Sequence, residues 1–175
     1  VERADGAYRD ALMRAVVGVC SKSTYANVTD FEWYISVLMQ LAHVHNSRLG
    51  ELVAAQFLDV AIRVRVVRAF AVKNCVALLR SKEILSDSLS AGSACEVLYA
   101  AAYIVGEFGQ AAPDLQPPVE ALLQPRATAL PAHIQAVYLQ ALVKLLAALA
   151  ARAQGTYQQA APPPPPSQAG DAGGA

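Results

Sequence analysis

Cysteine is scarce and scattered: three residues, Cys20, Cys75 and Cys95, in a chain of 175. An odd number at such spacing supports neither a disulfide framework nor a zinc cluster. All three fall on apolar helical faces, where a free thiol behaves as a small hydrophobe, so they read as structural thiols in a reducing setting. Charge is equally thin, with 14 basic and 14 acidic residues and a net charge of +0. No global field draws the chain to nucleic acid, and no aromatics interleave with its basic residues as single-strand binding requires. Long uncharged apolar runs are missing as well. Val97–Val105 and Leu145–Ala151 are among the longest, far short of the ~20 residues of a membrane span. No charged segment followed by an apolar one opens the chain, so no signal peptide is expected, and Val1 in place of Met reads as the start of a fragment. No stretch sustains period-2 alternation, which leaves no candidate strand. The nucleophile elbow GxSxG, the phosphate loop GxxxxGK(S/T) and the dinucleotide fingerprint GxGxxG are all absent.

What remains is helical. Apolar residues make up 55% of the chain, enough to exclude disorder over most of its length. The organising stretch is Ser93–Gly109. Ser93 and Glu96 form a capping-box pattern, Leu98, Ala101, Ala102, Val105 and Phe108 follow at helical spacing, and Val97, Ala100, Tyr103 and Ile104 make the other sides apolar too. Such a helix is covered by neighbours on several sides. Gly106 and Glu107 depart from that pattern. A glycine in a buried helix costs ~1 kcal/mol against alanine, which close approach of the next long helix, Pro131–Leu149, would explain. Glu107 needs a partner, either the start of a following helix or Arg126.

Around this helix the spacing predicts others. Tyr8–Cys20 shows Tyr8, Leu12, Val16 and Val19 on one face, and Ser21–Val28 is a polar connector. Thr29 and Glu32 repeat the capping box before a helix faced by Phe31, Tyr34, Ile35, Leu38, Leu41 and Ala42. A third helix from Arg48 turns Leu49, Leu52, Val53, Phe57, Val60 and Ala61 inward. No Pro or Gly interrupts Glu51–Arg80, a length that calls for a break near Arg63–Val66, after which Val67, Ala71, Cys75 and Leu78 share a face. Ser81–Gly92 holds one short helix at most. Prolines confine the segment before Pro131 to one more, Val119–Leu123. The last long helix, faced by Ile134, Val137, Tyr138, Ala141, Leu142, Leu145 and Leu149, frays past Arg152. The expected organisation is an edge at residues 1–7, a helical segment over 8–155, and a disordered Pro/Gly-rich tail over 156–175. The tail's Pro162–Pro166 run is either an SH3- or WW-type ligand or a spacer. Helix pairs recurring every ~35–45 residues fit a HEAT- or armadillo-like α-solenoid. Neither end helix has the polar outer face of a cap: Ala11, Ala15, Val17 and Val19 at one end, and Leu139, Leu146 and Ala147 at the other, add to the inward faces.

Chemistry is sparse. His43 and His45 are two apart and cannot share a metal on a helix, and near a helix C-terminus they complement its dipole. His133 has no ligand neighbours in sequence. Asp59 and Glu107 are lone carboxylates in apolar helices, suited to a buried general acid or, more simply, to a structural ion pair. An enzyme would need a cavity lined by both and a histidine. Arg63, Arg65 and Arg68 are the densest charge feature, with Arg65 and Arg68 one helical turn apart. They fit an acidic partner or an anionic lipid headgroup, or else a solvated ridge pairing with Asp59 or Glu83.

The stretch YIVGEFG, Tyr103–Gly109, resembles a helix-ending motif of the large subunits of adaptor and coatomer vesicle-coat complexes. TDFEWYISVLMQL (Thr29–Leu41), AAQFLDVAIRV (Ala54–Val64), CEVLYAAAYIVGEFG (Cys95–Gly109) and LPAHIQAVYLQALVKL (Leu130–Leu145) are similar, in order and at compatible spacing, to the adaptin family. The resemblance covers Tyr8 to Arg152. It implies a right-handed α-solenoid trunk segment, lacking the beginning of the trunk and its hinge and ear. It also implies a non-enzymatic scaffold without cofactor, metal, nucleic acid or small-molecule substrate. Its partners would be the small, medium and second large subunits of a hetero-tetramer. The complex would sort cargo in vesicle-mediated intracellular transport, on the cytoplasmic face of Golgi, endosomal and coated-vesicle membranes and toward lysosome-related compartments. A free-standing helical-repeat scaffold is the alternative. The resemblance assigns no catalytic or ligand residue.

Overall fold

The computed structural model describes residues 6–44, 48–89 and 95–160, and every regular element in them is helical. His45, the Ser93 half of the expected capping box and the Pro162–Pro166 run lie outside the described residues.

Helix α1 (Gly6–Tyr25) loses helical geometry at Lys22. Ser21 Oγ donates to the Val17 carbonyl at 2.8 Å and Asn27 Nδ2 to the Val19 carbonyl at 3.0 Å, so side chains take up carbonyls that the helix end leaves orphaned. Ser23, Thr24 and Tyr25 then pass through left-handed backbone, with φ of 51°, 58° and 63°, at ~1–2 kcal/mol per residue. Tyr25 offsets that cost. Its buried ring packs against Phe31 and Tyr34, each with ring centroids 5.8 Å away. The inward face of α1 differs from the expected one: Met13, Val17 and Cys20 are buried, whereas Tyr8, Leu12 and Val19 are exposed. The helix carries two apolar stripes, and the described chain covers one.

Helix α2 (Phe31–Ala42) is capped by Asp30 rather than by the predicted Thr29. Asp30 Oδ1 accepts from the backbone N–H of Glu32 at 2.9 Å and of Trp33 at 3.1 Å; its short carboxylate reaches the donors that the helix start leaves free. Helix α3 (Gly50–Arg63) ends where Val64 turns extended, and a single 3-10 turn, Arg65–Val67, leads into α4 (Arg68–Arg80). The break thus falls within Arg63–Val66. Helix α5 (Lys82–Leu89) is short, as expected. Helix α6 (Cys95–Phe108) follows, and α7 (Gln116–Leu122) begins three residues ahead of its predicted start. Pro117 and Pro118 occupy its first turn, where the absent N–H is not missed, and Asp114 Oδ1 accepts from Gln116 N at 2.9 Å. A 3-10 turn, Pro125–Ala129, precedes α8 (Ala132–Ala160), which runs past residue 156, the expected start of the tail.

The helices stack in succession. Helix α2 packs on α3 and α4, both of these pack on α6, and α6 packs on α8, while α7 bridges α4 and α8. The architecture is all-α, of the helical-solenoid type. Val97, Leu98, Ala100, Ala101, Ala102, Ile104 and Val105 of α6 are all buried, because α3, α4 and α8 meet it from different sides. Each large apolar side chain so enclosed contributes ~1.5–3 kcal/mol.

Candidate partner-binding surface

The arginines that the sequence groups together do three different things. Arg63 Nε lies 2.5 Å from Asp59 Oδ1 one helical turn back. Arg68 turns the other way: its Nε donates to the Ala61 carbonyl at 3.0 Å and its Nη2 to the Ile62 carbonyl at 2.9 Å. It therefore satisfies carbonyls that the end of α3 leaves open. Its guanidinium also lies 4.2 Å from the centroid of the Phe108 ring, joining α4 to the end of α6. Arg65 stands in the 3-10 turn, not on a helix with Arg68, so the predicted shared face does not form. It is exposed and has no partner among the described residues. Of the three, Arg65 is the one free to meet an anion. Arg80, farther along, is held by Glu120 at 3.0 Å and by the Pro117 carbonyl at 3.3 Å.

The carboxylates are structural. Asp59 accepts from the Tyr25 hydroxyl at 2.6 Å, and Gln56 Oε1 accepts from Tyr25 at 3.2 Å and from Tyr34 at 2.9 Å. The Tyr25 hydrogen bond, with Arg63 behind it, holds the Asp59 carboxyl below the usual carboxylate range. Burial first, and Asp59 second, push the Tyr25 hydroxyl up, so it stays a donor. A general acid would need the opposite shift on Asp59. This network ties the strained end of α1 to α3, and it leaves little trace in the residue pattern, since the tyrosines lie 22 to 34 residues from their partners. Glu107 is bonded to Lys144 of α8, not to Arg126 or the start of a following helix. Lys144 projects from the partly exposed side of α8 directly across from α6, and that placement depends on the crossing of two helices. His43 Nδ1 lies 2.8 Å from the Met39 carbonyl at the end of α2, and His133 Nε2 lies 3.0 Å from Glu96. Asp59, Glu107, His43 and His133 are therefore each engaged separately. Among the described residues no group of three His, Cys, Asp or Glu is placed to hold a metal. The three cysteines are buried thiols outside any disulfide, and burial pushes the Cys75 thiol up.

Gly106 lies at the seam between α6 and α8. A Cβ added there would come 2.8 Å from both the Cα and the Cβ of Ala141, closer than packed atoms allow. The inward side of α8 is Ile134, Tyr138, Ala141 and Leu145. Its opposite side exposes Leu139, Val143 and Leu146 at 64%, 67% and 51%, one continuous stripe at helical spacing. With the exposed Tyr8, Leu12 and Val19 of α1, the two end helices both present uncovered apolar faces, the usual mark of an interaction surface. By length and composition Ala132–Gln154 is also apolar enough to cross a membrane, which the short uncharged runs in the sequence did not disclose. Lys144 and Arg152 interrupt it. Both are engaged by neighbouring segments, Lys144 by Glu107 and Arg152 by the carbonyls of Gln110, Ala112 and Pro113.

Comparison with known proteins extends this picture. Residues 1–161 match the adaptin N terminal region. The chain is 49% identical over 150 residues to AP-3 complex subunit delta-1 of Bos taurus, covering 85% of this chain and 12% of that protein. It is 41% identical over 155 residues to AP-3 complex subunit delta of Dictyostelium discoideum, covering 89% of this chain and 14% of that one. With AP-3 complex subunit delta of Arabidopsis thaliana the identity is 32% over 144 residues, covering 82% and 16%. The chain thus spans a small part of the length of these relatives. An all-helical stack with uncovered apolar ends, matched from residue 1 to residue 161, belongs to the adaptin N-terminal family.

Proposed function

We propose that this chain is a trunk segment of delta-adaptin, the large subunit of an AP-3-type adaptor complex. In this reading it is a non-enzymatic scaffold. The protein carrying it cradles a small and a medium subunit beside a second large subunit. It works on the cytoplasmic face of Golgi, endosomal and coated-vesicle membranes, sorting cargo toward lysosome-related compartments. The observation that carries the reading is the family match over nearly the whole chain, together with end helices whose outer faces stay apolar and uncovered. A free-standing repeat scaffold would have polar capping helices, and neither α1 nor α8 is one.

Arg65 is the residue in this segment best placed to meet an acidic partner or an anionic headgroup, being exposed and uncommitted. The test is affinity recovery of the tagged full-length protein from cells. Small and medium adaptin chains should co-purify in equal amounts, and the Arg65→Glu variant should weaken assembly or recovery with membranes while leaving helicity unchanged. Recovery of the protein alone, without other subunits, would remove the adaptor reading. Normal assembly and membrane recovery with Arg65→Glu would leave the scaffold standing and make Arg65 a solvated residue only.

A further inference from the structure

A groove of about 370 Å³ lies between the outer side of α4 and the segment joining α6 to α7, within the ~300–1,000 Å³ of ligand pockets. Val72 and Val76 form one wall, and Phe108, Pro113 and Pro118 the other. Three arginines fix that second wall. Arg68 lies 4.2 Å from the centroid of the Phe108 ring, and Arg80 donates to the Pro117 carbonyl at 3.3 Å. Arg152 donates to the carbonyls of Ala112 at 2.8 Å and Pro113 at 3.1 Å. An irregular segment is thus clamped by α4 and α8, and a groove shaped in advance spares a ligand part of the ordering cost of binding.

The same clamps occupy the carbonyls of Ala112, Pro113 and Pro117. What is left to meet a ligand is an apolar floor with one charge on each side, Lys73 on α4 and Asp114 opposite. Lys73 is exposed and has no partner among the described residues. Asp114 Oδ1 accepts from Gln116 N at 2.9 Å, and its Oδ2 has no partner among the described residues. This rim selects the class of occupant. An anionic amphiphile or headgroup suits Lys73 and is repelled by Asp114; a cation meets the reverse. A helix bonds its backbone groups internally and offers neither side a partner. An extended peptide offers both, since its edges carry unbonded C=O and N–H groups while alternate side chains point to the floor.

We propose that the groove binds an extended, uncharged apolar segment of another protein. Alternate side chains of the segment lie against Val72, Val76 and Phe108. A carbonyl on one edge accepts from the Lys73 ammonium, and an N–H on the other edge donates to the Asp114 carboxylate. Neither Arg65 nor the outer stripe of α8 takes part.

The test pans a phage-displayed library of random heptapeptides on the full 175-residue chain. Enriched peptides should be uncharged, with apolar residues at alternate positions. The best of them is synthesised with blocked ends and a fluorescent label, and its affinity is read by anisotropy. Ala69 is exposed and lines the groove, so Ala69→Trp should obstruct binding by an order of magnitude while leaving the unfolding midpoint unchanged. Lys73→Met and Asp114→Asn should each weaken binding several-fold; asparagine keeps the cap on α7. Methylating the peptide's amide nitrogens one at a time leaves the protein untouched. One position should lose affinity several-fold with the parent chain and lose little with Asp114→Asn. Equal affinity for the Ala69→Trp variant would place the peptides elsewhere and overturn the proposal, as would enrichment of charged peptides or of none. Displacement of the peptide by decanoate, or Lys73-dependent recovery of the chain on vesicles of phosphatidylcholine with phosphatidylserine, would assign the groove to an amphiphile or a membrane instead. The absence of any N-methyl position coupled to Asp114 would overturn the extended backbone pose.

Discussion

Helices α6 and α8 are written in nearly the same residues, mostly alanine, leucine, valine and tyrosine, yet their fates differ. Helix α6 is enclosed by α3, α4 and α8 except along the partly exposed stripe Glu96, Tyr99, Tyr103 and Glu107, while α8 buries one stripe and shows Leu139, Val143 and Leu146 to solvent. Apolar periodicity counts the faces that seek cover. It does not say whether the cover lies in the same chain. In α6 the neighbours are present; on the outer side of α8 they are not, and the same holds for the second stripe of α1.

The sharpest way to break this comparison is to cut the same side chain on both helices. Leu98→Ala in α6 should destabilise the chain by ~2–5 kcal/mol, the usual range for a buried leucine that leaves a cavity. Leu146→Ala on the outer side of α8 should stay within about 0.5 kcal/mol, as exposed substitutions do. Urea denaturation followed by circular dichroism measures both. Equal losses would mean that the outer stripe is already covered in the isolated chain.

The seam between the two helices comes next. Gly106→Leu should cost ~1–3 kcal/mol by overpacking. Gly106→Ala is the finer probe. Helix propensity favours alanine by ~1 kcal/mol, but its Cβ would sit 2.8 Å from the Ala141 backbone, so the variant should lose stability despite the propensity. Ala141→Gly should restore part of it. A Gly106→Ala variant more stable than the parent would show that α6 and α8 stand farther apart.

Much of this was legible in the residues, and the failures have physical causes. The inward faces of α2, α3 and α4 follow from period alone, because each has one dominant apolar stripe; in α8 the predicted face is the buried one although a second stripe, Leu139, Val143 and Leu146, stands opposite it. Helix α1 has two, and the choice between Tyr8–Leu12–Val19 and Met13–Val17–Cys20 depends on a neighbour that a single helix's sequence does not specify. Thr29 and Asp30 are both good caps, and the backbone turn, not the pattern, selects Asp30. Gly106 announced a close neighbour by being a glycine where alanine is preferred. The partner of Glu107 could not be read, since Lys144 is 37 residues away and meets it only through the helix crossing. The arginine group misled for a related reason: identical side chains one turn apart were separated by the change from 3-10 to α geometry at Arg68.

That separation predicts a split between neighbours. Arg68→Ala removes two hydrogen bonds from a charged donor and the stacking on Phe108, and should cost ~1–3 kcal/mol. Arg65→Ala should leave the melting temperature unchanged. Reversing both arginines to Glu, as a test of a basic ridge, would therefore damage the fold through Arg68. A smaller, pH-dependent effect belongs to Asp59. Its carboxyl is held below its unfolded value, so its contribution is present above about pH 4 and is lost as pH falls through the folded-state value. Stability of the parent should therefore fall more steeply in acid than that of Asp59→Asn. Parallel acid limbs would detach Asp59 from the Tyr25 network.

The smallest change in stability should come with the largest change in behaviour. Leu139→Gln, Val143→Gln and Leu146→Gln together replace the outer stripe of α8 without touching Ile134, Tyr138, Ala141 or Leu145, so the unfolding midpoint should scarcely move. The parent chain exposes a contiguous apolar face there and another on α1, more than a solitary chain ordinarily leaves to water. It should scatter light as an associated species and enhance the fluorescence of a hydrophobic dye. The triple variant should lose most of both signals, with α1 accounting for the remainder, and adding Leu12→Gln and Val19→Gln should remove that too. In the full-length protein, where further trunk or partner subunits have access to the α8 face, the same triple change should weaken recovery of those partners. A parent chain that is already monomeric and silent to the dye would show that its helices close on themselves. Helices α6 and α8 would then differ only in degree of burial, and the outer stripe would cease to be evidence for a scaffold.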